Sequence, residues 1–138
     1  MASRSSQTNE FRSSWWSIRL QPSWSATESA ECVSLRSRGD SGVLQISATR
    51  KPTGQVTDDD VLEFASDSKQ KGRVLKPIAT VHVSGVTTEF VDQNRSWREW
   101  WLKGGATLVY VTYNVSLASK DQETEPIEQM ISSIAING

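Results

Sequence analysis

The amino-acid sequence predicts an α+β domain built as an antiparallel β-sheet with helices packed on it. Most of the chain alternates apolar and polar residues with the period of two that is typical of strands, and short connections join these stretches. Only two stretches, one near the middle and one at the end, carry apolar residues at helical spacing. The most apolar hairpin is apolar on both faces, so a helix is expected on each side of it.

Length and charge narrow the class of protein. A chain of 138 residues has the usual size of one domain, and we expect a flexible leader at 1–13 and a single domain at 14–138. Fifteen basic and sixteen acidic residues give a net charge of -1, which argues against nucleic acid as a partner. No stretch approaches the ~18 consecutive apolar residues of a membrane span. The charge at Arg4 is not followed by the apolar run that a signal peptide needs. A cytoplasmic protein without membrane contact, monomeric or weakly dimeric, is therefore expected.

The N-terminal third is predicted to form a three-stranded meander. The stretch WWSIRL at 15–20 alternates, and QPSW then breaks the pattern. The stretches ECVSLRS at 31–37 and VLQISATR at 43–50 alternate in the same way, with the turn residues RGDSG between them. Arg38, Gly39 and Asp40 also spell the integrin-binding tripeptide, but a chain reversal needs glycine and aspartate for backbone reasons alone. The turn is the preferred interpretation.

The first helix is predicted after this meander. Thr57 suits the N-cap, the three aspartates at 58–60 complement the positive end of the helix, and Gly72 suits the residue after its C-terminus. The stretch PIATVHVSGVTTEFV at 77–91 alternates again. It predicts one long strand with a bulge or tight bend at Gly85.

The last third of the chain is predicted to be a hairpin followed by a helix. The stretches SWREWWL and ATLVYVTYNV flank KGG, which is a strong hairpin signal. In the closing stretch, Thr124 is the candidate N-cap and Pro126 lies in the first turn. Apolar residues follow at helical spacing, namely Ile127, Met130, Ile131 and Ile134.

The hairpin divides its tryptophans between two faces. Trp100 shares a face with Leu102, whereas Trp97 and Trp101 share theirs with Glu99, and a charge between two indoles is costly to bury unless it is paired. We therefore expect Trp100 in the core and Trp97 or Trp101 at least partly exposed. The residues expected in the core are Trp16, Ile18, Leu35, Leu44, Ile46, Val81, Trp100, Val109, Val111, Ile131 and Ile134.

Five stretches in this order carry a resemblance to a known family: WWSIRLQPSW, GVLQISATRK, VTDDDVLEFA, WREWWLKGGATLVYVTYNV and EPIEQMISSI. Together they resemble the PsbP-like superfamily, which includes Mog-type and DcrB-like proteins. The resemblance implies an α/β/α sandwich, and it implies no shared catalytic or binding residues. The members most similar in layout are small stand-alone bacterial proteins, and several related groups resemble immunity or accessory proteins. The chain lacks the lipoprotein signal and cysteine of DcrB-like members, which argues against a periplasmic role.

Single residues offer little chemistry of their own. His82 is the only histidine and is expected to be a partly buried, hydrogen-bonded strand residue. Cys32 is the only cysteine, which excludes an internal disulfide, and it is expected to be a buried structural thiol. The TDDD stretch fits a helix N-cap better than a metal site. No catalytic residue, cofactor or metal is predicted.

Two functions of different class remain open. The first is a non-enzymatic protein-interaction or accessory module, because large aromatic residues beside arginine are common at binding hot spots. An immunity protein is one form that such a module can take. Its candidate partner-binding residues are Trp97, Trp101, Glu99, Arg95 and Trp24. The alternative is a small-molecule-binding protein or hydrolase-like enzyme with a pocket near His82 and Glu99.

Overall fold

The computed structural model describes residues 9–39 and 41–137. Its main element is a seven-stranded sheet in which every neighbouring pair is antiparallel. In spatial order its strands are β3 (Trp24–Glu28), β4 (Val33–Ser37), β5 (Gly42–Arg50), β9 (Thr107–Ser116), β8 (Arg95–Gly104), β7 (Ser84–Asp92) and β6 (Lys76–Ala79). The predicted α+β class and the central hairpin are confirmed.

A second, three-stranded sheet holds β1 (Glu10–Arg12), β2 (Trp16–Arg19) and β10 (Ala135–Ile136). The predicted meander is therefore wrong in its first member, because β2 pairs with β1 and β10 and not with β4. A turn at Ser23, whose φ is 75°, separates β2 from the unpredicted strand β3. The prediction of a flexible leader at 1–13 is wrong for residues 10–12, because they form β1. Residues 1–8 lie outside the described part of the chain.

The described residues also form three α-helices, α1 (Asp58–Phe64), α2 (Ser66–Gln70) and α3 (Thr124–Ser133), and a 3₁₀ helix at Leu117–Ser119. Thr57 caps α1 as predicted, since its hydroxyl accepts from the Asp60 N–H at 3.1 Å while the Asp60 carboxylate accepts from the Thr57 N–H at 2.9 Å. Gly72 follows α2 with a φ of 86°. The N-cap of α3 is Glu123 and not the predicted Thr124.

The helices cover opposite faces of the large sheet. The apolar side of α3 packs with the side chains of one face, whereas α1 packs on Trp101 and Leu108 of the other face. Successive strand residues point to opposite faces, so the apolar residues on both sides of the hairpin find separate cores. The α/β/α arrangement is thereby confirmed. The larger core holds Trp16, Ile18, Leu35, Leu44, Ile46, Trp100, Val109, Val111, Ile131 and Ile134, all predicted.

The segment at 77–91 departs from its prediction. It forms two strands, β6 and β7, joined by a tight turn in which the Thr80 N–H donates to the Val83 carbonyl at 2.8 Å. Val81 lies in this turn and is 92% exposed, so its predicted place in the core is wrong. Gly85 makes a close approach within β7, where a Cβ would lie 1.8 Å from the Trp101 carbonyl oxygen.

Candidate functional site

One face of the large sheet is only partly covered. On this face α1 packs on Trp101 and Leu108 and α2 reaches Glu99 through Ser68, whereas side chains on β5 and near the start of β8 stay partly exposed. We call this uncovered part the open face; its residues are Gln45, Phe90, Arg95, Trp97 and Thr112, which the strand registers place on the same side and which are all partly exposed. The candidate site comprises this surface and the cavity beside it.

Trp97 stacks on a neighbouring aromatic ring of the open face. It pairs in register with Phe90 of β7, and the two rings stack with an interplanar angle of 1° and a centroid separation of 6.1 Å. The Arg73 guanidinium lies 3.4 Å from the centre of the Phe90 ring. Arg95 is fixed nearby, since its Nε donates to Asn114 Oδ1 at 2.8 Å. An indole that is already ordered loses little side-chain entropy when it binds a partner.

A shallow cavity of about 360 Å³ adjoins Trp97. Its other walls include Cys32, Gln45, Tyr110 and Thr112. Cys32 is partly exposed here, which corrects the expectation of a buried thiol. The open face therefore combines an aromatic side chain with hydrogen-bonding groups beside a depression.

Glu99 lies next to this region but is 8% exposed. Its carboxylate accepts hydrogen bonds from the Ser68 hydroxyl and, at 2.5 Å, from the Tyr110 hydroxyl. Arg73 reinforces the cluster, with its Nη1 2.9 Å from Ser68 Oγ and 3.9 Å from Glu99 Oε1. Burial and the bond to Glu99 raise the pKa of Tyr110, so the phenol remains a neutral donor. Pairing of this kind is what allows a carboxylate to be buried between two indoles.

A cavity of about 390 Å³ opens beside Glu99, between the sheet and α1–α2. The helices contribute Phe64, Asp67 and Ser68 to its walls, and the sheet contributes Glu99, Trp101, Leu108 and Tyr110 with the segment 47–49. It shares Ser47 and Tyr110 with the shallow cavity at Trp97. Ser47 and Tyr110 therefore lie between the two cavities, and we call the pair of cavities the trough.

Sequence analysis missed most of this site. Phe64, Asp67, Ser68 and Arg73 stand far from the hairpin in sequence, and only the fold brings them to it. The one available signal was Ser68, a polar residue at helical spacing with Val61 and Ala65, which are buried on the same side. Trp97, Glu99 and Arg95 do lie on one face of β8, as the alternation predicted.

Three of the five candidate partner-binding residues are buried, and their predicted exposure is wrong: Glu99, described above, Trp101 and Trp24. Trp101 is 5% exposed because α1 covers it, and Trp24 is 5% exposed because it packs into the larger core. Neither presents an exposed anchor. Of the two tryptophans that flank Glu99, Trp97 is thus the partly exposed one, and Trp100 is 1% exposed as predicted.

The pocket expected near both His82 and Glu99 is not formed. His82 is exposed in the turn between β6 and β7, where its backbone N–H donates to Thr80 Oγ1 at 3.2 Å. This corrects the expectation of a partly buried strand histidine. It lines a separate cavity with Gln129 and Ser133 of α3, on the other face of the sheet.

A second buried glutamate connects a helix to the sheet. Glu123, at the start of α3, accepts from the Tyr113 hydroxyl at 2.5 Å and from the Ser37 hydroxyl at 2.5 Å. Burial and Glu123 together raise the pKa of Tyr113. Because these bonds join α3 to β4 and β9, they fix the helix on its face of the sheet.

Within 9–39 and 41–137, no three histidine, cysteine, aspartate or glutamate side chains are placed to hold a metal ion. No helix in the same ranges has the length and apolar character needed to cross a bilayer.

Comparison with solved structures identifies the fold of the chain. No protein family matches the chain in sequence, and no curated protein does so either. Among solved structures, a protein from Bacteroides thetaiotaomicron superposes with a TM-score of 0.71 at 13% identity, over 96% of this chain; this chain spans about half of that protein, 49%. The cyanobacterial PsbP (CyanoP) of Synechocystis superposes with a TM-score of 0.62 at 12% identity, over 93% of this chain and 91% of that one. Identities this low establish fold alone, and the chain therefore has the PsbP-like fold that its sequence pattern predicted.

Proposed function

We propose that the protein is a non-enzymatic interaction module that contacts a partner protein through the open face. The observation that carries this proposal is Trp97, which is partly exposed and stacked on Phe90, four residues along β8 from the Trp101 that α1 covers. Tryptophan and arginine are enriched at binding hot spots, and Arg95 stands beside this indole.

The occupant that fits is an extended segment of a second protein. The trough runs from Trp97 past Tyr110 to Phe64, and an extended chain can follow such a path while placing alternate side chains in its two depressions. An accessory role of the immunity type suits such a module. Gene neighbourhood is the direct source of candidate partners.

The test is partner capture by matched variants. Trp97→Ala removes the proposed anchor, whereas Trp15→Ala removes a partly buried tryptophan that packs against the larger core on the other face of the sheet. A protein retained by the wild type is identified, purified and titrated against each variant. We expect Trp97→Ala to weaken binding by about tenfold or more, corresponding to ~1.4 kcal/mol, and Trp15→Ala to leave it unchanged. A partner bound equally by both variants would contradict the proposal.

The cavity beside Glu99 favours a second candidate function, which is the binding of a small ligand. Its volume lies in the range of ligand pockets, and polar groups converge on its floor from Glu99, Ser68 and Tyr110. The hydrolase-like version of this function required His82 beside Glu99, and the structure separates the two.

A further inference from the structure

The cavity beside Glu99 has aromatic walls. Trp101 and Tyr110 lie side by side on the sheet, with ring centroids 5.4 Å apart and an angle of 32° between the rings. Phe64, which is 52% exposed at the end of α1, closes the helical side. The faces of aromatic rings carry negative electrostatic potential.

The ionised groups that line this cavity are negative. Glu99 lies at its buried end, and Asp67, whose side chain is 82% exposed, lies on its helical side. Among the described residues that line the cavity there is no lysine or arginine. Arg73 offsets part of the charge of Glu99 from 3.9 Å. Lys71 approaches Asp67 at 3.4 Å, but such an exposed ion pair is weak and easily rearranged.

We infer that this cavity binds an organic cation, namely an ammonium or guanidinium group, between the aromatic walls and above the carboxylate of Glu99. Aromatic rings with carboxylates nearby are the recurrent means of recognising such cations. The chain already uses this chemistry beside the cavity, where the Arg73 guanidinium packs on Phe90 and close to Glu99. The inference rests on the second candidate function and names its ligand class.

Two kinds of ligand can supply such a cation. A lysine or arginine side chain of a partner segment lying in the trough would reach the cavity from Trp97, because the two depressions share Ser47 and Tyr110. A free diamine would enter from solvent alone. The probes below separate these sources.

The primary test compares two probes of matched shape. N-acetyl-argininamide carries the guanidinium, and N-acetyl-citrullinamide replaces it with a neutral urea group. Each is titrated into the ¹⁵N-labelled protein while the indole N–H resonances of Trp101 and Trp97 are followed. We expect the Trp101 resonance to shift with the cation at a Kd of about 1 mM or below, and about tenfold more weakly with the neutral probe. Equal binding of the two probes would overturn the inference and leave ligand binding itself intact.

Variants assign the binding to this cavity. Asp67→Asn and Phe64→Ala alter exposed side chains, so both proteins are expected to fold, and each should weaken the argininamide titration by about threefold. Glu63→Gln removes an exposed carboxylate of α1 that lies outside the cavity and should change nothing. Shifts that survive both cavity substitutions would refute the assignment.

Cadaverine, a free diamine, tests whether the ligand is a small amine. Tighter binding of cadaverine than of N-acetyl-argininamide would identify a small diamine as the ligand, and the reverse order would favour a partner's side chain; either result supports a cation site. If none of the three probes shifts the Trp101 resonance at roughly 10 mM, the inference of a cation site fails, whereas the second candidate function fails only if neutral and anionic probes are also without effect. Partner capture through Trp97 is scored separately and is unaffected by that outcome.

Discussion

Truncation of the three hairpin tryptophans should separate core from surface on a single strand. Trp100 is 1% exposed, and full burial of an aromatic side chain removes about 150–250 Å² from water, which at ~25 cal/mol per Å² is worth about 4–6 kcal/mol. We expect Trp100→Ala to cost about 3–5 kcal/mol, as buried aromatic truncations do. Trp101, at 5% exposed beneath α1, should cost a similar amount.

Trp97→Ala should cost much less. The residue is partly exposed, and its main contact is the stack on Phe90, for which about 0.5–1.5 kcal/mol is usual. In urea, with a slope of about 2 kcal/mol per M, the unfolding midpoint should fall by about 2 M for Trp100→Ala and by less than about 1 M for Trp97→Ala. Equilibrium unfolding followed by circular dichroism measures both. Equal losses at positions 97 and 100 would show that the open face is covered, and the proposed contact surface would lose its basis.

Three further outcomes follow from single contacts. Gly42→Ala should destabilise the protein by about 1–3 kcal/mol in the same unfolding assay, because a Cβ there would lie 2.7 Å from the Asn114 carbonyl oxygen and 2.7 Å from the Tyr113 hydroxyl. An unchanged midpoint would show that the β9 backbone and the Tyr113 ring both shift without cost. Glu123→Ala should cost about 2–4 kcal/mol, because it leaves the hydroxyls of Tyr113 and Ser37 without an acceptor. Glu123→Gln keeps an acceptor oxygen and should cost less. An equal loss of stability in the two variants would argue against those hydrogen bonds. The raised pKa values of Tyr110 and Tyr113 mean that the unfolded chain releases phenolic protons first, so stability should fall as pH rises above about 10. Replacing both tyrosines with phenylalanine should flatten that fall.

The paired glutamates show where local pattern was a poor guide. Alternation placed Glu99 between two indoles and suggested an exposed surface, yet hydroxyls from α2 and β9 pair with its carboxylate and allow it to be buried. A carboxylate buried with two donors costs far less than one buried alone. The expectation that Trp97 or Trp101 is partly exposed holds for Trp97, whereas Trp101 is buried together with Glu99, because that glutamate has hydrogen-bond partners elsewhere in the chain.

The sequence by itself determined the class of the fold, the cap of α1 at Thr57, the central hairpin and the division of its side chains between two faces. Each depends on interactions between residues close in the chain or on strand periodicity, which local sequence encodes. Only the tertiary structure decided which face of the sheet stays partly open, how β2 came to pair with β10, and how Arg73 and Ser68 reached Glu99. These depend on contacts between distant segments, whose identity is set by how the whole chain buries its apolar surface and pairs its buried charges, and no local pattern carries that information.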